Sequence, residues 1–374
     1  MKSLNILHTE ASLGWGGQEI RIINESLGML KRGHRVYIAA PRESTIYRKA
    51  KTADIPVFHL PFKKQNPSDI LKVASLIREN LINIVNTHSS SDSWVATIAA
   101  RLSRPKPLIL RTRHLSTPIG KNPLSTLIYD ILPDAVITTG EEIRQRMITY
   151  NRFDGDRIFS IPTGVDMERF NPATVIPSIK PNGFSIGMVS VLRSWKGHKY
   201  FIEAVPAILS IIPDSFFYIV GDGPQFQNIK KTIKDLSLEH KILMLGHRDD
   251  IPRILASLDV IVHPSYANEG VPQSLLQAMA MEKPVIASDA GAIKEIVIDK
   301  KTGFLIDPKN PEQLAEKVIS LYKAPVLRIQ FGKNGRKMVE KDFSIENMLD
   351  KIESLYARLL QNKKSLSEAD RQKS

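Results

Sequence analysis

The 374-residue sequence contains no cysteine, which excludes disulfide bonds, thiolate nucleophiles and cysteine-based zinc sites. It also lacks any apolar run of about 18 residues, the length at which a membrane-spanning helix becomes a candidate. The opening stretch, MKSLNILHTEASLG, has too short an apolar part for a signal peptide and predicts a first strand instead. These absences favour a cytoplasmic protein without a transmembrane anchor.

A metal-binding pattern is also missing, because no His/Asp cluster has metal-ligand spacing. We therefore predict no metal site, and we interpret the adjacent Asp249 and Asp250 as the cap of a helix that begins at Ile251. Acidic residues are outnumbered, 39 against 52 basic ones, which gives a net charge of +13. Residues 1–172 hold 24 basic and 16 acidic residues. Such an excess suits anionic lipid headgroups, nucleic acid or an acidic substrate, or it serves solubility alone.

The length favours two domains, and strands alternate with helices through most of the chain. The first domain lacks the G-x-G-x-x-G spacing of a dinucleotide site. Prolines and glycines interrupt the alternation after about residue 162 and predict a linker there. The predicted organisation is a first domain, a linker, a second domain, a final helix and a polar tail, at residues 1–165, 166–183, 184–342, 343–362 and 363–374.

The stretch from Ile261 to Ile306 predicts a strand, a loop, a helix and a second strand, followed by a short helix and a third strand. Gly270 and Val271 place backbone N–H groups at the start of the first helix, where an anion is favoured, and Pro272 suits its first turn. A carboxylate next to a phosphate site is better placed to accept hydrogen bonds from sugar hydroxyls. Glu269 has either that role or a capping role.

Several runs in this stretch resemble the signature of the family 4 retaining glycosyltransferases: EGVP from Glu269, QAMA from Gln277, PVIA from Pro284 and GFL from Gly303. The resemblance implies an α/β GT-B fold, in which two Rossmann-like, doubly wound domains face each other across a cleft. It also implies that the final helix crosses back onto the first domain. The family places a second glutamate at position 277, where this chain has glutamine. The glutamine amide can still form hydrogen bonds with the two hydroxyls of a diol, so we expect function to survive with altered ribose recognition.

The resemblance implies a site without a metal or other cofactor, in which cations stabilise the leaving diphosphate. Lys196 matches the family's Lys-Gly pair, whereas the usual arginine position holds Val191, so we expect Arg193 to take that role. His88 follows a strand and either contacts the sugar or the acceptor or has a purely structural role. The expected catalytic residues are therefore Glu269, Lys196, Arg193 and His88.

From the resemblance and from positions after strands, we expect two binding sets in addition to the catalytic residues. The donor set combines the first-domain glycine loop, the start of the 270s helix and the glutamate of a D-x-G-A-x-x-E run: Gly16, Gly17, Gly270, Val271, Pro272, Gln277 and Glu295. Glu295 caps the short helix if it has no ligand. The acceptor set lies in the first domain: Glu19, Arg111, Arg113 and His114. The two arginines and His114 bind an anionic acceptor or form a solvated edge.

The predicted function is transfer of a sugar, with retention and without metal, from a nucleotide-diphosphate donor. The predicted acceptor is a glycan or lipid-linked molecule in surface polysaccharide, lipopolysaccharide or glycolipid assembly. The enzyme would be cytoplasmic, with peripheral attachment to the anionic inner face of the cell membrane, and it would not bind nucleic acid. The alternatives are a non-catalytic sugar-nucleotide-binding protein and another GT-B enzyme such as a sugar-nucleotide epimerase.

Overall fold

The computed structural model describes residues 2–62, 66–114, 116–267 and 269–372. The chain forms two compact units, one made of Met1–Gly164 together with Ile345–Ser374 and the other of Val165–Ser344. Each unit contains one parallel sheet with helices between successive strands, as expected for buried β-α-β units. None of the helices in the described part of the chain combines the length and the apolar character needed to cross a bilayer.

The sheet of the first unit has seven parallel strands in the order β3-β2-β1-β4-β5-β6-β7. Its strands are β1 (Asn5–Thr9), β2 (Arg35–Ala40), β3 (Val57–His59), β4 (Ile84–Thr87), β5 (Leu108–Arg113), β6 (Ala135–Thr138) and β7 (Ile158–Ser160). The central strands are buried on both faces, which explains their continuous apolar runs. The order reverses direction between β1 and β4.

The helices of this unit before residue 164 are α1 (Gly17–Lys31), α2 (Thr45–Thr52), α3 (Pro67–Glu79), α4 (Ser90–Leu102), α5 (Pro123–Thr126, continuing as a π-helical turn over Leu127–Ile131) and α6 (Glu141–Thr149). Helix α2 was not predicted from the sequence. It is short and largely polar, and only Ile46 and Ala50 turn inward. Ser44 caps it by accepting a hydrogen bond from the Tyr47 N–H.

The last helix, α13 (Ile345–Gln372), belongs to the first unit and packs against α1. Met348, Leu349, Ile352, Leu355 and Tyr356 are buried in the core beside β1, β4 and β5. Residues 363–372, predicted as a polar tail, continue the helix. Their residue types favour helix formation, and the Lys363 ammonium donates to the Pro107 carbonyl at 3.2 Å, which ties this turn to the unit.

The second unit has a six-stranded parallel sheet in the order β10-β9-β8-β11-β12-β13. Its strands are β8 (Ser185–Val189), β9 (Phe216–Val220), β10 (Ile242–Gly246), β11 (Val260–His263), β12 (Val285–Ser288) and β13 (Gly303–Ile306). Its helices are α7 (His198–Leu209), α8 (Phe226–Asp235), α9 (Ile251–Ala256), α10 (Gln273–Ala280), α11 (Pro311–Lys323) and α12 (Pro325–Asp342). The order reverses direction between β8 and β11.

Two further segments of this unit differ from the sequence-based picture in detail. Residues 166–183, predicted as a linker, form no helix or strand, and Phe170 is buried in the core of the second unit.

Asp250 precedes α9 as its N-cap residue, but its side chain does not cap the helix. The Arg248 guanidinium binds it instead, with Nε–Oδ1 and Nη2–Oδ2 distances of 2.7 and 2.8 Å. The capping prediction was wrong because a bidentate charge-assisted pair outcompetes a backbone N–H.

Candidate active site

Open parallel sheets bind ligands beyond the carboxyl ends of their strands, at the point where the strand order reverses. In the second unit this point lies between β8 and β11. The segment after β8 carries Arg193 and Lys196, and the segment after β11 carries Ser265 and Glu269. The topology therefore brings together side chains that are about 70 residues apart in the sequence.

Backbone contacts hold these two segments against each other. The Trp195 carbonyl accepts hydrogen bonds from the Ser265 hydroxyl at 2.8 Å and from the Tyr266 N–H at 2.9 Å. Gly197 has φ of +82°, and a Cβ at this position would lie 1.8 Å from the Pro264 carbonyl oxygen. Glycine is therefore required here for both its backbone conformation and its size.

Glu269 lies at the centre of this arrangement and has two unequal oxygens. Its Oε1 accepts from the Lys196 ammonium at 2.7 Å and from the Ser265 hydroxyl at 2.6 Å, and His263 Nε2 lies 3.8 Å away. Within the described ranges, Oε2 has no hydrogen-bond partner. Burial opposes ionisation, but His263 and Lys196 outweigh it and hold the pKa of Glu269 below its usual value. The carboxylate is therefore charged, and its Oε2 can accept a hydrogen bond from a ligand.

The segment that follows Glu269 leads into α10. The Glu269 backbone carbonyl accepts a hydrogen bond from the Ala292 N–H at 2.9 Å, which anchors Glu269 to the turn after β12. Helix α10 begins at Gln273, and Pro272 is its N-cap residue, so the predicted first-turn position of Pro272 is wrong by one residue. The N–H groups of Gly270 and Val271 make no hydrogen bond to any other residue that the structure describes. They are available to a ligand at the positive end of the helix.

The remaining predicted donor residues of this unit lie at three different positions. Arg193 is exposed, and its guanidinium lies 5.1 Å from the centre of the Trp195 ring. Gln277 is half-buried on α10, and its side chain makes no hydrogen bond within the described part of the chain. Glu295 ends the 3-10 helix Gly291–Glu295, so it does not cap the start of that helix.

Two histidines next to Lys196 were not predicted as site residues. His263 ends β11, and His198 begins α7, with its Nε2 3.1 Å from the Ser190 hydroxyl. Burial, His263 and Lys196 lower the pKa of His198 to about 3, so this ring is neutral. The pKa of His263 is also lowered, mainly by burial. A histidine directly at a strand end or at a helix start was the only sequence signal for either residue.

In the first unit the sheet reverses between β1 and β4, and the glycine loop after β1 leads to α1. Gly16 is the N-cap of α1, and Gly17 is its first residue. The Gly16 N–H donates to Glu19 Oε2 at 2.8 Å, so Glu19, predicted as an acceptor contact, caps the helix. No acceptor is needed to explain its position.

Glu10, directly after β1, is a buried carboxyl group that the sequence analysis missed. It accepts hydrogen bonds from the Ser12 N–H at 2.6 Å and from the Gln18 side chain. Burial and the neighbouring Asp92 carboxyl raise the pKa of Glu10 to about 8. Glu10 is therefore mostly protonated at neutral pH. The sequence signal for this residue was a glutamate immediately after a buried strand at the reversal point.

Three histidines lie in a row at the same edge of the first sheet. His8 Nδ1 is 3.0 Å from His88 Nε2, and His88 Nδ1 is 2.9 Å from His114 Nε2. Burial lowers the pKa of all three rings, which keeps them neutral. His88 and His114 were predicted site residues, and His8 was not, because a histidine within a buried strand has no distinctive pattern.

The predicted acceptor arginines are bound to Tyr129. The Arg111 guanidinium lies 3.9 Å from the centre of that ring and donates to its hydroxyl at 2.9 Å, whereas Arg113 donates to the same hydroxyl at 3.1 Å. Arg113 also donates to the Thr117 carbonyl at 2.8 Å. Arg111 is buried, so it does not belong to a solvated edge. No group of three or more potential metal-ligating side chains occurs among the residues that the structure describes.

Comparison with known proteins assigns both halves of the chain to glycosyltransferases. The family "Glycosyltransferase Family 4" matches residues 15–169, and "Glycosyl transferases group 1" matches residues 175–338. The chain is 32% identical over 312 residues to the UDP-Gal:alpha-D-GlcNAc-diphosphoundecaprenol alpha-1,3-galactosyltransferase of Escherichia coli, covering 79% of this chain and 80% of that protein. It is 24% identical to a capsular polysaccharide biosynthesis glycosyltransferase of Staphylococcus aureus, covering 84% and 88%.

Among solved structures, a glycosyltransferase from Rickettsia africae superposes with a TM-score of 0.86 at 26% identity, covering 97% of this chain and all of that one. The two parallel α/β units are those of the GT-B fold, so the predicted fold class is confirmed. The similarity to the Escherichia coli enzyme extends over most of both chains. The chain therefore belongs to the family 4, group 1 glycosyltransferases, and it is an enzyme of that class.

Proposed function

We propose that this enzyme transfers a sugar, with retention and without a metal, from a nucleotide-diphosphate donor bound to the second unit. The acceptor is a glycan or a lipid-linked molecule bound at the carboxyl edge of the first sheet. The proposal rests on the different contacts of the two carboxylate oxygens of Glu269. Oε1 is held by Lys196 and Ser265, whereas Oε2 is left to accept hydrogen bonds from the donor sugar.

Lys196 fits the role of stabilising the leaving diphosphate. An ammonium group has three N–H donors, and only one of them is used by Glu269 in this structure. The others are available to phosphate oxygens, together with the Gly270 and Val271 N–H groups at the start of α10, to which no other described residue is hydrogen-bonded. Arg193 adds a positive charge nearby. These cations and dipoles supply the charge stabilisation that a metal ion provides in other transferases.

In the proposed reaction, the bond between the anomeric carbon and the diphosphate oxygen breaks as the acceptor oxygen bonds to the same carbon. The leaving phosphate oxygen takes the acceptor proton on the same face, which retains configuration and requires no enzyme nucleophile. Glu269 orients the sugar, and Lys196 offsets the charge that develops on the diphosphate. Gln277, on α10, is the candidate contact to the ribose hydroxyls.

Two observations support the acceptor class. The Escherichia coli relative acts, by its name, on a sugar attached to diphosphoundecaprenol, which is a lipid-linked substrate. The basic excess of residues 1–172, 24 against 16, suits an anionic membrane surface. We therefore place the enzyme in the cytoplasm, attached peripherally to the inner face of the cell membrane, in the assembly of a surface polysaccharide or glycolipid.

A thermal-shift series tests the donor site. The purified enzyme is melted with UDP, GDP, ADP or CMP and with their sugar conjugates, with and without EDTA. We expect one nucleoside diphosphate to raise the melting temperature by mass action, and EDTA to leave that shift unchanged. Absence of a shift with every nucleotide, or a shift abolished by EDTA, would contradict the proposal.

Two lysine variants locate the site within the second unit. Lys196→Ala should remove most of the shift, because it deletes the proposed diphosphate contact. Lys317→Ala is the matched control, since Lys317 also pairs with a glutamate, Glu316, at 2.8 Å but lies on α11. Equal shifts in both variants would exclude Lys196 from the donor site. Nucleotide binding without sugar transfer to a glycan or lipid-linked acceptor would contradict the proposed reaction.

A further inference from the structure

The three histidines at the edge of the first sheet end at a buried carboxylate. His8 Nε2 lies 3.8 Å from Glu25 Oε1, and Arg21 Nε lies 3.5 Å from Glu25 Oε2. The Tyr356 hydroxyl lies 3.5 Å from the same Oε1. Glu25 therefore forms an ion pair with Arg21 and faces the His8 ring, whose Nε2 makes no hydrogen bond to any residue that the structure describes. His8, Arg21 and Glu25 are completely buried, so none of them contacts solvent.

A neutral imidazole has one N–H and one acceptor nitrogen, so a row of three neutral rings has only two possible hydrogen-bond directions. In the first direction, His8 points its Nε2–H at Glu25, and His88 and His114 each donate through Nε2 to the preceding ring. In the second direction, His8 presents a lone pair to the carboxylate. The first direction is favoured because two acceptors facing each other in a buried site repel.

The favoured direction determines the outer end of the row. His114 donates through Nε2 to His88, which leaves its Nδ1 as an acceptor. This nitrogen makes no hydrogen bond to another residue within the described part of the chain. It lies in the segment just after β5, next to the reversal point where the proposed acceptor substrate binds. Arg113, the preceding residue in the chain, donates its guanidinium to Tyr129 and Thr117.

We propose that Glu25 and His8 are positioning residues, which fix the tautomers of His88 and His114 so that His114 Nδ1 accepts a hydrogen bond from a hydroxyl of the acceptor substrate. This inference rests on the proposed function for the identity of the substrate, but the tautomer order does not depend on it. Neither Glu25 nor His8 touches the substrate. Their effect passes through the two intervening hydrogen bonds.

The direct test is nuclear magnetic resonance of the full-length enzyme labelled with nitrogen-15 in histidine. The imidazole signals distinguish the two tautomers, and single variants His8→Gln, His88→Gln and His114→Gln assign them. We expect His8, His88 and His114 all to carry their proton on Nε2 at neutral pH. A proton on Nδ1 of His114 would overturn the proposal, whatever the activity of the enzyme.

Glu25→Gln tests the cause of this order. The amide oxygen is expected to face Arg21, which places the NH2 group opposite His8 Nε2. That donor should reverse the row, so that His114 carries its proton on Nδ1 and no longer accepts from a hydroxyl. We expect kcat/KM to fall at least about tenfold, the loss of roughly one buried hydrogen bond. An unchanged tautomer in a folded Glu25→Gln enzyme would overturn the role of Glu25.

Glu353→Gln is the matched control, because Glu353 is a second carboxylate that contacts a histidine in the same unit. Its Oε1 lies 2.9 Å from His34 Nε2, and neither residue belongs to the row. We expect this variant to keep the Nε2 tautomers of His88 and His114 and to change kcat/KM less than about twofold. If Glu25→Gln does not fold, the measurement on the unmodified enzyme still decides the proposal. If no donor supports transfer, the proposed function fails while the tautomer result stands.

Discussion

At the scale of single residues, the environment gives Glu269 and Glu10 opposite protonation states. Glu269 is ionised because Lys196 and His263 outweigh its burial, whereas burial and Asp92 keep Glu10 mostly protonated at neutral pH. Carboxyl groups whose pKa values are driven apart in this way commonly have different roles. An ionised carboxylate such as that of Glu269 can only accept hydrogen bonds, whereas the protonated carboxyl group of Glu10 can also donate one.

Replacement of Glu269 by glutamine should reduce sugar transfer strongly. The amide removes the charge that holds Lys196 and weakens the hydrogen-bond acceptor at Oε2. We expect a fall in kcat/KM that corresponds to the loss of about 2–4 kcal/mol of transition-state stabilisation. Steady-state kinetics with the nucleotide sugar identified by thermal shift provides the measurement. Glu316→Gln, which breaks a comparable Lys–Glu contact on α11, should leave kcat/KM unchanged. Full activity of the Glu269 variant would remove this residue from the site.

Glu10 should make stability depend on pH in a predictable direction. Its pKa is about 8 in the folded protein against 4.5 as its ordinary value, so the folded state retains a proton that the unfolded chain loses. Its contribution to stability is therefore largest below pH 4.5 and declines as the pH rises toward 8.

Glu10→Gln removes this titration, so its free energy of unfolding should fall less than that of the parent protein between pH 5 and pH 8. Urea unfolding at several pH values measures the difference. The exposed Glu316→Gln change serves as reference for the loss of one surface carboxylate. Parallel pH profiles for the Glu10 variant and the parent protein would show that Glu10 is ionised in the folded state.

At the scale of elements, the second-unit site depends on how closely two loops approach. The segment after β8 passes so near to Pro264 that Gly197 has no space for a side chain. This packing places Trp195 against Ser265 and Tyr266, and hence Lys196 against Glu269. The ion pair is a consequence of loop packing as well as of charge.

Gly197→Ala should therefore destabilise the protein by more than the unfavourable backbone conformation of an alanine alone accounts for. Gly33 provides a matched control, because it has φ of +84° and a Cβ added there would have no atom within 4 Å. We expect Gly33→Ala to destabilise the protein by on the order of 1 kcal/mol and to keep nucleotide affinity. Gly197→Ala should destabilise it further and weaken nucleotide binding at least about tenfold, since the loops must separate. Thermal melting and calorimetric titration measure both effects. Similar losses in the two variants would show that the contact with Pro264 is unimportant.

At the scale of the whole molecule, the first unit is built from both ends of the chain. Helix α13 returns to α1, where Leu349 occupies the space over Gly28 and leaves no room for a Cβ there. Arg32 at the end of α1 pairs with Glu346, Asp350 and Glu353 of α13. The core of this unit is therefore incomplete until the last helix has been added.

Leu349→Ala should destabilise the first unit by ~2–5 kcal/mol, the usual cost of a leucine-sized cavity. Leu349 is 1% exposed, and Leu102→Ala, at a position 69% exposed, is the control that should have little effect. Because Leu349 belongs to the first unit, the affinity of the second unit for a nucleoside diphosphate should be retained below the unfolding transition. Loss of nucleotide affinity in a folded Leu349 variant would contradict this separation of roles.

Most of the strands and helices could be predicted from local pattern, because buried parallel strands are continuous apolar runs and the helices have a periodic apolar face. Helix α2 was missed because it buries only two side chains. In the candidate site, Glu269, Lys196 and His88 were recognisable by motif or by position after a strand. His8, Glu10, Glu25 and His263 were missed because the meaning of a buried polar residue depends on neighbours that are distant in the sequence.

The amino-acid sequence by itself determined the class of the molecule: its parallel α/β elements, the lack of cysteine chemistry and the family of its motifs. These are properties of periodicity, composition and local spacing. Only the tertiary structure decided which oxygen of Glu269 is occupied, that Glu19 caps a helix, that Arg111 is buried on Tyr129 and that three histidines form a row. Strand order brings distant residues together, and hydrogen bonds and pKa values depend on distances of a few ångströms that no linear pattern specifies.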